Sequence, residues 1–414
     1  MSKKEANYQS SFSLRLYRLF QRNSWLRYLK IAYYFIDACL LVFIKKPRGV
    51  TGNKKKIFII YNYAFGDGVI WLQSMMNIRL LYNQEDYHIT LICQNGLHHL
   101  YVNADVFDRV IPFDLTRATF DLKMRFRLFK LLRKEYYDLV LDPIGVSEFT
   151  TNVFMARALC AREKKTLKDI TLPSYLPTFI AKQIYTEIFF LNKPKTSLIE
   201  YYAYFLKMLG LKDFYVGFES VYTGTVSIEV PDEYFIVFPS ASTEMKKWPL
   251  ERYAELIEKV YHEVGIPVLF CGTHSDAPEV NRLKELVDIP FVDIVAKTSL
   301  LEFIAVIHKA KFVITNDTST YHIALANQVP VAIITGGYTY SRYVGYQFER
   351  MEEFKKPYIV VHQMDCFDCD NRCKILSKSD QLWPCLAKIT VEDAWIVVKK
   401  LINDLKGAEN EKHE

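Results

Sequence analysis

Several groups of side chains in this 414-residue sequence have the types and spacing to do chemistry. The richest is Asp317, Thr318, Ser319, Thr320 and His322, inside KFVITNDTSTYHIALANQVPVAIITG (residues 311–336). FVIT and VAIIT are β-branched apolar runs of the kind found in a parallel sheet covered on both faces. The stretch reads as buried strand, polar turn, short helix and second buried strand. N–H groups in the first turn of a helix have no partner inside it, so the turn is placed to hold an anion. A phosphate-bearing ligand is the expectation. His322, five residues after Asp317, is either a ligand contact or a satisfied core residue.

Three further groups sit at similar strand ends. Gly66-Asp67-Gly68 follows a strand and opens a helix. Its glycines would let the chain turn sharply and approach a ligand, and Asp67 is either a helix cap or a general base for a substrate hydroxyl. In FPSASTEMKKWPLERYAEL, Ser242, Thr243 and Lys246 precede Trp248-Pro249 and a helix, which suits a phosphate group; the alternative is a solvated loop with Trp248 as packing anchor. In CGTHSDAPEVNRL, Gly272 ends a strand, and Asp276 or Glu279 is a candidate for ribose hydroxyls, unless Asp276 only caps the helix from Pro278. Cys366, Cys369, Cys373 and Cys385 form a CxxC with two more thiols nearby, open to a structural zinc site or to a knot of thiols or disulfides. The other four, Cys39, Cys93, Cys160 and Cys271, sit in apolar surroundings and are expected as buried thiols.

The elements that must position these groups alternate. Strands are expected at Lys56–Asn62, His88–Cys93, Arg109–Phe113 and Asp138–Asp142, with helical stretches between, such as Leu122–Lys134. Residues 161–230 are broken by Pro173, Pro177 and Pro194, apart from a helix Ser197–Leu209 ending at Gly210. Alternation resumes with strand Tyr234–Phe238, helix Pro249–Val264, strand Val268–Cys271, helices near Pro278–Val287 and Ser299–His308, strand Tyr358–His362 and a last helix Val391–Leu405 running into a frayed tail. This is an α/β chain with parallel sheets, in two halves that suggest a cleft. The divisions expected are an arm (1–50), two Rossmann-like domains (51–220 and 221–390), and a terminal helix with tail (391–414).

Charge is uneven. Residues 1–56 hold 13 Lys and Arg against Glu5 and Asp37, a local +11, while the remainder carries 40 basic and 45 acidic groups. A basic arm on a weakly acidic body points to an anionic membrane surface and away from nucleic acid. IAYYFIDACLLVFI (31–44) lies between Lys30 and Lys45-Lys46. As a helix it would be roughly 21 Å long, short of the ~30 Å hydrocarbon core. It reads as an interfacial helix on the cytoplasmic leaflet, with packing on the protein's own surface as the alternative and a true span less favoured. No small-residue cleavage site follows it, so a removed signal peptide is not expected.

The motifs also share an order: GD after the first strand, K-x-W-P after the mid-chain strand, Thr298-Ser299-Leu300, then N-D-[ST]-x-x-x-H-x-A before an apolar strand and Gly. This order resembles glycosyltransferase family 9, the family of bacterial lipopolysaccharide heptosyltransferases, over roughly residues 56–400. The resemblance implies a GT-B fold, two Rossmann-like domains facing across a cleft. It implies inverting, metal-independent transfer from a nucleotide-sugar donor to a lipid-linked glycan, by an enzyme peripheral on the inner face of the cytoplasmic membrane. By the same resemblance Asp67 is the base and Lys246 meets the donor phosphates. Asp317 lies near the donor sugar, the Thr318–Thr320 backbone holds the diphosphate, and His322 is the motif histidine. Family members also have a Cys-rich segment near the cysteine cluster. Ser319 stands where the family usually has Gly. Gln328 stands where a Gly often precedes x-Pro, with Asn327 the candidate for a left-handed residue. Gln73 stands near a usual Pro. Two other readings are a catalytically silent GT-B scaffold for polysaccharide assembly and a nicotinamide-dependent oxidoreductase, the latter lacking the third glycine of GxGxxG.

Overall fold

A computed structural model describes residues 31–47, 49, 52–146, 151–172, 174, 176–221, 224, 226–377 and 381–410. The chain forms two compact units that divide between Val216 and Gly217. The N-terminal unit contains strands β1 (Lys55–Ile60), β2 (Tyr87–Gln94), β3 (Arg109–Phe113), β4 (Tyr136–Asp142), β5 (Cys160–Asp169) and β6 (Glu187–Leu191). The C-terminal unit contains β7 (Phe235–Phe238), β8 (Val268–Phe270), β9 (Phe291–Asp293), β10 (Phe312–Asn316), β11 (Val331–Ile334) and β12 (Tyr358–Val360). All pairings are parallel. The orders are β3-β2-β1-β4-β5-β6 and β12-β11-β10-β7-β8-β9, the same doubly wound pattern read from opposite edges. In each sheet the order reverses once, between β1 and β4 and between β7 and β10. In open parallel sheets ligands bind outside the strands' carboxyl ends at such a reversal.

The strands legible in the sequence are those buried on both faces. β7, β10 and β11 are buried at every residue, as continuous β-branched and aromatic runs require. β5, β6 and β9 were not foreseen. β5 reads CAREKKTLKD, and its charges are accommodated locally. Lys164 Nζ donates to the Ala156 and Leu159 carbonyls, while Lys165 pairs with Glu163 and Glu187. Its lysine stems lie along the sheet with their heads satisfied, so polarity conceals a strand.

Helix ends follow their chemistry. Helix Leu198–Leu209 starts on a capping box between Ser197 and Glu200 and stops at Gly210, φ +117°. The last helix runs from Val391 to Asn410, past the expected end at Leu405, and its Ala394, Val398, Leu401 and Ile402 join the core beneath helix Leu250–Val264.

Helix Ile31–Val42 is docked on the N-terminal unit by one face. Asp37 is 0% and Arg125 1% exposed, and their bond is bidentate at 2.6 and 3.1 Å. Arg125 also donates to the Ala118 and Thr119 carbonyls and lies 4.0 Å from the Phe154 ring. Arg133 donates to the Leu41 carbonyl in the helix's last turn, at 2.5 Å, where a cation is favoured, and to the Ile44 carbonyl just beyond it, at 2.7 Å. The segment expected on a membrane thus has one face committed to protein, and Cys39, expected to be buried, is exposed while Cys160 is half-buried. No helix among the described residues is long and apolar enough to cross a membrane. The remainder of the arm, residues 1–30, lies outside the described residues.

Removing one partner of a buried ion pair strands the other charge. Asp37→Ala is expected to lower unfolding free energy by about 3–5 kcal/mol. An unfolding free energy from urea titration within ~1 kcal/mol of wild type would show that the pair does not hold this helix down.

Candidate functional site

The reversal between β7 and β10 brings the two sequence groups of the C-terminal unit together. Lys246, in a 3-10 turn after β7, places Nζ 2.7 Å from Asp317 Oδ2 at the end of β10. The Tyr338 hydroxyl donates to the same oxygen at 3.1 Å, and Lys246 Nζ lies 5.3 Å from the Tyr338 ring centroid. Burial pushes the Asp317 carboxyl up, but Lys246 and Tyr338 outweigh it and hold it below the usual carboxylate range.

Asn316 makes this possible. Its Oδ1 accepts from Trp248 N–H (3.3 Å) and the Tyr253 hydroxyl (3.0 Å), and its Nδ2 donates to the Pro239 carbonyl. The loop carrying Ser240 to Lys246 is therefore pinned at both ends to β10. Trp248 is the packing anchor of the alternative reading, fully buried with Nε1 bonded to the Ile389 carbonyl. Anchor and lysine coexist: Trp248 is buried against Ile389, while Lys246, in the 3-10 turn before it, reaches Asp317.

Around this pair, polar groups remain open. Helix Ser319–Ala326 begins at extended Thr318, and no side chain caps that end. The hydroxyls of Thr320, Ser240 and Thr339 are buried without a hydrogen-bond partner. They follow β10, β7 and β11, three neighbouring strands. Buried polar atoms are nearly always satisfied, so three such hydroxyls after neighbouring strands point to a polar ligand site. Ser319 takes no left-handed conformation, so serine in place of the family's glycine carries no strain. Ser242 is exposed and Thr243 half-buried in the same loop.

The expectation for Asn327 is corrected. Gln328 itself is left-handed, φ +56°, while Asn327 has φ −87°. Gln328 offsets that strain by donating to the Leu325 carbonyl (2.8 Å) and accepting from Lys355 N–H (2.8 Å).

Asp276 and Glu279 separate clearly. Asp276 Oδ2 accepts from Thr273 N–H and hydroxyl, both at 2.7 Å, and makes no cap bond to its helix. Gly272 at φ +140° is needed there, since a Cβ would stand 2.9 Å from that oxygen. Glu279 pairs with Lys247 through Oε1, while its Oε2 is buried and unpartnered.

The cysteine cluster lines a cavity with Tyr338, His362 and Trp383. Cys366, Cys369, Cys373 and Cys385 are free, half-buried thiols. Burial first, then its neighbouring thiols, pushes Cys369 up. Among the described residues no group of three His, Cys, Asp or Glu could hold a metal ion, so the zinc expectation finds no support here. The cluster instead backs the turn that carries Tyr338. Cys385 Sγ stands 2.6 Å from where a Cβ on Gly336 would fall, and Tyr338 stacks on Trp383 at 5.4 Å.

In the N-terminal unit the β1–β4 reversal carries Asp67 and an unforeseen second carboxylate. Asp67 lies half-buried in the first turn of helix Phe65–Met75, where the helix dipole favours it; it is not the N-cap, which is Ala64. Neither Gly66 nor Gly68 has positive φ, so the expected sharp glycine turn is absent. Gly68 is required for another reason: a Cβ would collide with the Tyr101 hydroxyl. Tyr61, Tyr101 and Tyr202 are fully buried, and burial, with the Asp67 charge contributing, raises their hydroxyls well above the phenol range. Asp142, ending β4, accepts from Tyr185 (2.5 Å) and Asn152 (2.8 and 3.1 Å); burial pushes it up to about 6 against those bonds.

His322 is buried, its Nδ1 3.2 Å from the Tyr346 hydroxyl, and burial drives its pKa to about 4. At neutral pH it is an uncharged imidazole and supplies no cation. Unfolded histidine titrates near ~6.5. As pH falls from about 6.5 to about 4 the unfolded chain gains a proton that the fold refuses, so stability is lost on acidification, by about 3 kcal/mol. His322→Gln should lose correspondingly less between pH 7 and pH 4.5 in urea unfolding. Equal acid sensitivity of the two proteins would contradict the neutral assignment.

The chain is similar to known proteins in sequence and in fold. Residues 208–344 match the sequence profile of glycosyltransferase family 9 (heptosyltransferase). The lipopolysaccharide core heptosyltransferase OpsX of Haemophilus influenzae is 30% identical over 98 residues, 23% of this chain and 28% of that protein, so the match spans less than a third of the relative. Two solved structures share the fold. A Veillonella parvula family 9 glycosyl transferase has TM-score 0.67 at 16% identity, covering 86% of this chain and all of that one. The E. coli heptosyltransferase WaaC with ADP has TM-score 0.60 at 20% identity, covering 84% and 99%. Lys246, Asp317, His322 and the three orphaned hydroxyls all fall in the matched segment. Over residues 208–344, within an α/β fold of two parallel six-stranded sheets, this chain is similar to glycosyltransferase family 9.

Proposed function

We propose that this chain is an inverting glycosyltransferase. It moves a heptose or other hexose-type sugar from a nucleotide-sugar to a lipid-linked glycan, such as a lipopolysaccharide core or related surface polysaccharide. One observation carries the reading: inside the family 9 segment, Lys246, Asp317, an uncapped helix end and three unpartnered buried hydroxyls follow the neighbouring strands β7, β10 and β11. Such groups suit a diphosphate, which needs a cation and preorganised donors as it leaves. Lys246 with Ser242 and Thr243 would meet the diphosphate, and Asp317 the donor sugar. Glu279 suits a ribose hydroxyl because its Oε2 is buried without a partner, while Asp276 Oδ2 is taken up by Thr273. The descriptions of OpsX as a lipopolysaccharide core heptosyltransferase and of WaaC with ADP support this donor and acceptor class.

Asp67 is the proposed base. It takes the proton of an acceptor hydroxyl, whose oxygen attacks the anomeric carbon while the bond to the leaving diphosphate breaks on the opposite face. The reaction calls on no metal. A lipid-linked acceptor would place the enzyme peripherally at the inner face of the bacterial cytoplasmic membrane. The match to a transferase family favours this over the oxidoreductase reading.

Asp67→Asn should lower turnover at least ~10²-fold, the usual worth of a positioned base. Its thermal stabilisation by ADP should persist, since a nucleotide at 100 times its Kd adds about 2.7 kcal/mol whether or not the base is present. Lys246→Ala should lose that stabilisation, read as the difference with and without ADP. Unchanged turnover of Asp67→Asn would exclude it as the base. A wild-type chain that binds nucleotide-sugar yet never transfers would instead be a scaffold.

A further inference from the structure

Helix Ile31–Val42 and the turn after it have a second face that the fold does not use. Asp37, Leu41 and Ile44 point into the N-terminal unit. Opposite them, Phe35 is 66%, Val42 81% and Phe43 79% exposed, and Cys39 is exposed too. Phe35, Cys39 and Val42 are spaced by four and three residues, so they form one stripe along the helix. Lys45 and Lys46 follow directly and are exposed. A second helix contacts this one. The Tyr34 hydroxyl donates to Gln183 Oε1 at 3.2 Å. Phe179 stands one turn before Gln183 on helix Thr178–Ile184 and is 67% exposed.

Large apolar side chains gathered on one surface mark a contact with something other than water. The cations decide what. Residues 1–56 carry a local +11 on a chain whose remaining residues are net acidic. A second copy docked on the same patch by two-fold symmetry would bring Lys45 and Lys46 against their own kind. A bilayer with acidic headgroups supplies opposite charge beside an apolar interior.

We propose that this face lies on an anionic lipid bilayer. Phe35, Val42, Phe43 and Phe179 enter the headgroup boundary, and Lys45 and Lys46 meet acidic headgroups. The contact is rigid, because Asp37–Arg125 and Arg133 clamp the opposite face of the helix to the unit. It orients the N-terminal unit against the surface instead of tethering it loosely. The inference deepens the peripheral location proposed above by naming the surface that makes it, and it rests on these exposed residues and not on the transfer chemistry.

The test is co-sedimentation of the full chain with phosphatidylcholine vesicles, with and without phosphatidylglycerol. Wild type should bind the phosphatidylglycerol vesicles and bind neutral ones weakly. Val42→Asp/Phe43→Asp replaces exposed groups, so its melting temperature should hold while vesicle affinity falls roughly tenfold or more. Lys45→Gln/Lys46→Gln should weaken binding roughly thirtyfold, at about 1 kcal/mol per lysine, and added salt should weaken wild type likewise. Wild-type affinity in the aspartate variant, or equal affinity for neutral vesicles, would overturn the proposal. So would a wild-type dimer that the aspartate variant splits without any vesicle binding, which would assign the face to a second copy.

Discussion

One side-chain amide underlies the C-terminal constellation. Asn316 ends β10 and reaches back to Pro239, Trp248 and Tyr253, fixing the loop that follows β7 to the strand beside it. Without that bracing, a lysine on a loop would hold no defined place beside a buried carboxylate. With it, Lys246 neutralises Asp317, Tyr338 completes the pair, and the cysteine-lined cavity supports the turn carrying Tyr338. A cation held on a buried carboxylate is positioned before any ligand arrives, so little reorganisation is needed when anionic charge develops beside it.

The N-terminal unit solves a different electrostatic problem. Its arm helix brings a carboxylate, Asp37, into the core, and it is held there by a buried bidentate pair with Arg125 and by Arg133 on the carbonyls at the helix end. Asp67 sits above a nest of buried tyrosines, with Tyr61 stacked 4.1 Å from Trp71. Gly68 is there because the Tyr101 hydroxyl occupies the space a side chain would take. The glycine beside the candidate base thus reflects packing, where the sequence alone suggested a turn.

Legibility tracked burial. β7, β10 and β11 declare themselves because both faces are apolar. β5 stays hidden because its lysines satisfy their heads on nearby carbonyls and carboxylates. Helix ends at Gly210 and Ser299 were readable from local chemistry, since a left-handed cap and a capping box need only neighbouring residues. The left-handed Gln328 was not, because its strain is met partly by Lys355, far along the chain. Tyr338, Tyr346, Thr339 and Asp142 carried no motif, and only the tertiary structure marks them.

The sequence by itself determined the residue types available, their order, the parallel α/β architecture and the concentration of positive charge in the arm. These follow from apolar periodicity and composition, which act over a few residues. The tertiary structure alone decided the partners. Lys246 meets Asp317 across 71 residues of chain, and Arg125 meets Asp37 across 88. It also separated Glu279 from Asp276 and gave the arm helix one docked face and one open face. Such pairings depend on where the sheet order reverses and which side chains share a buried space, and no local pattern encodes either.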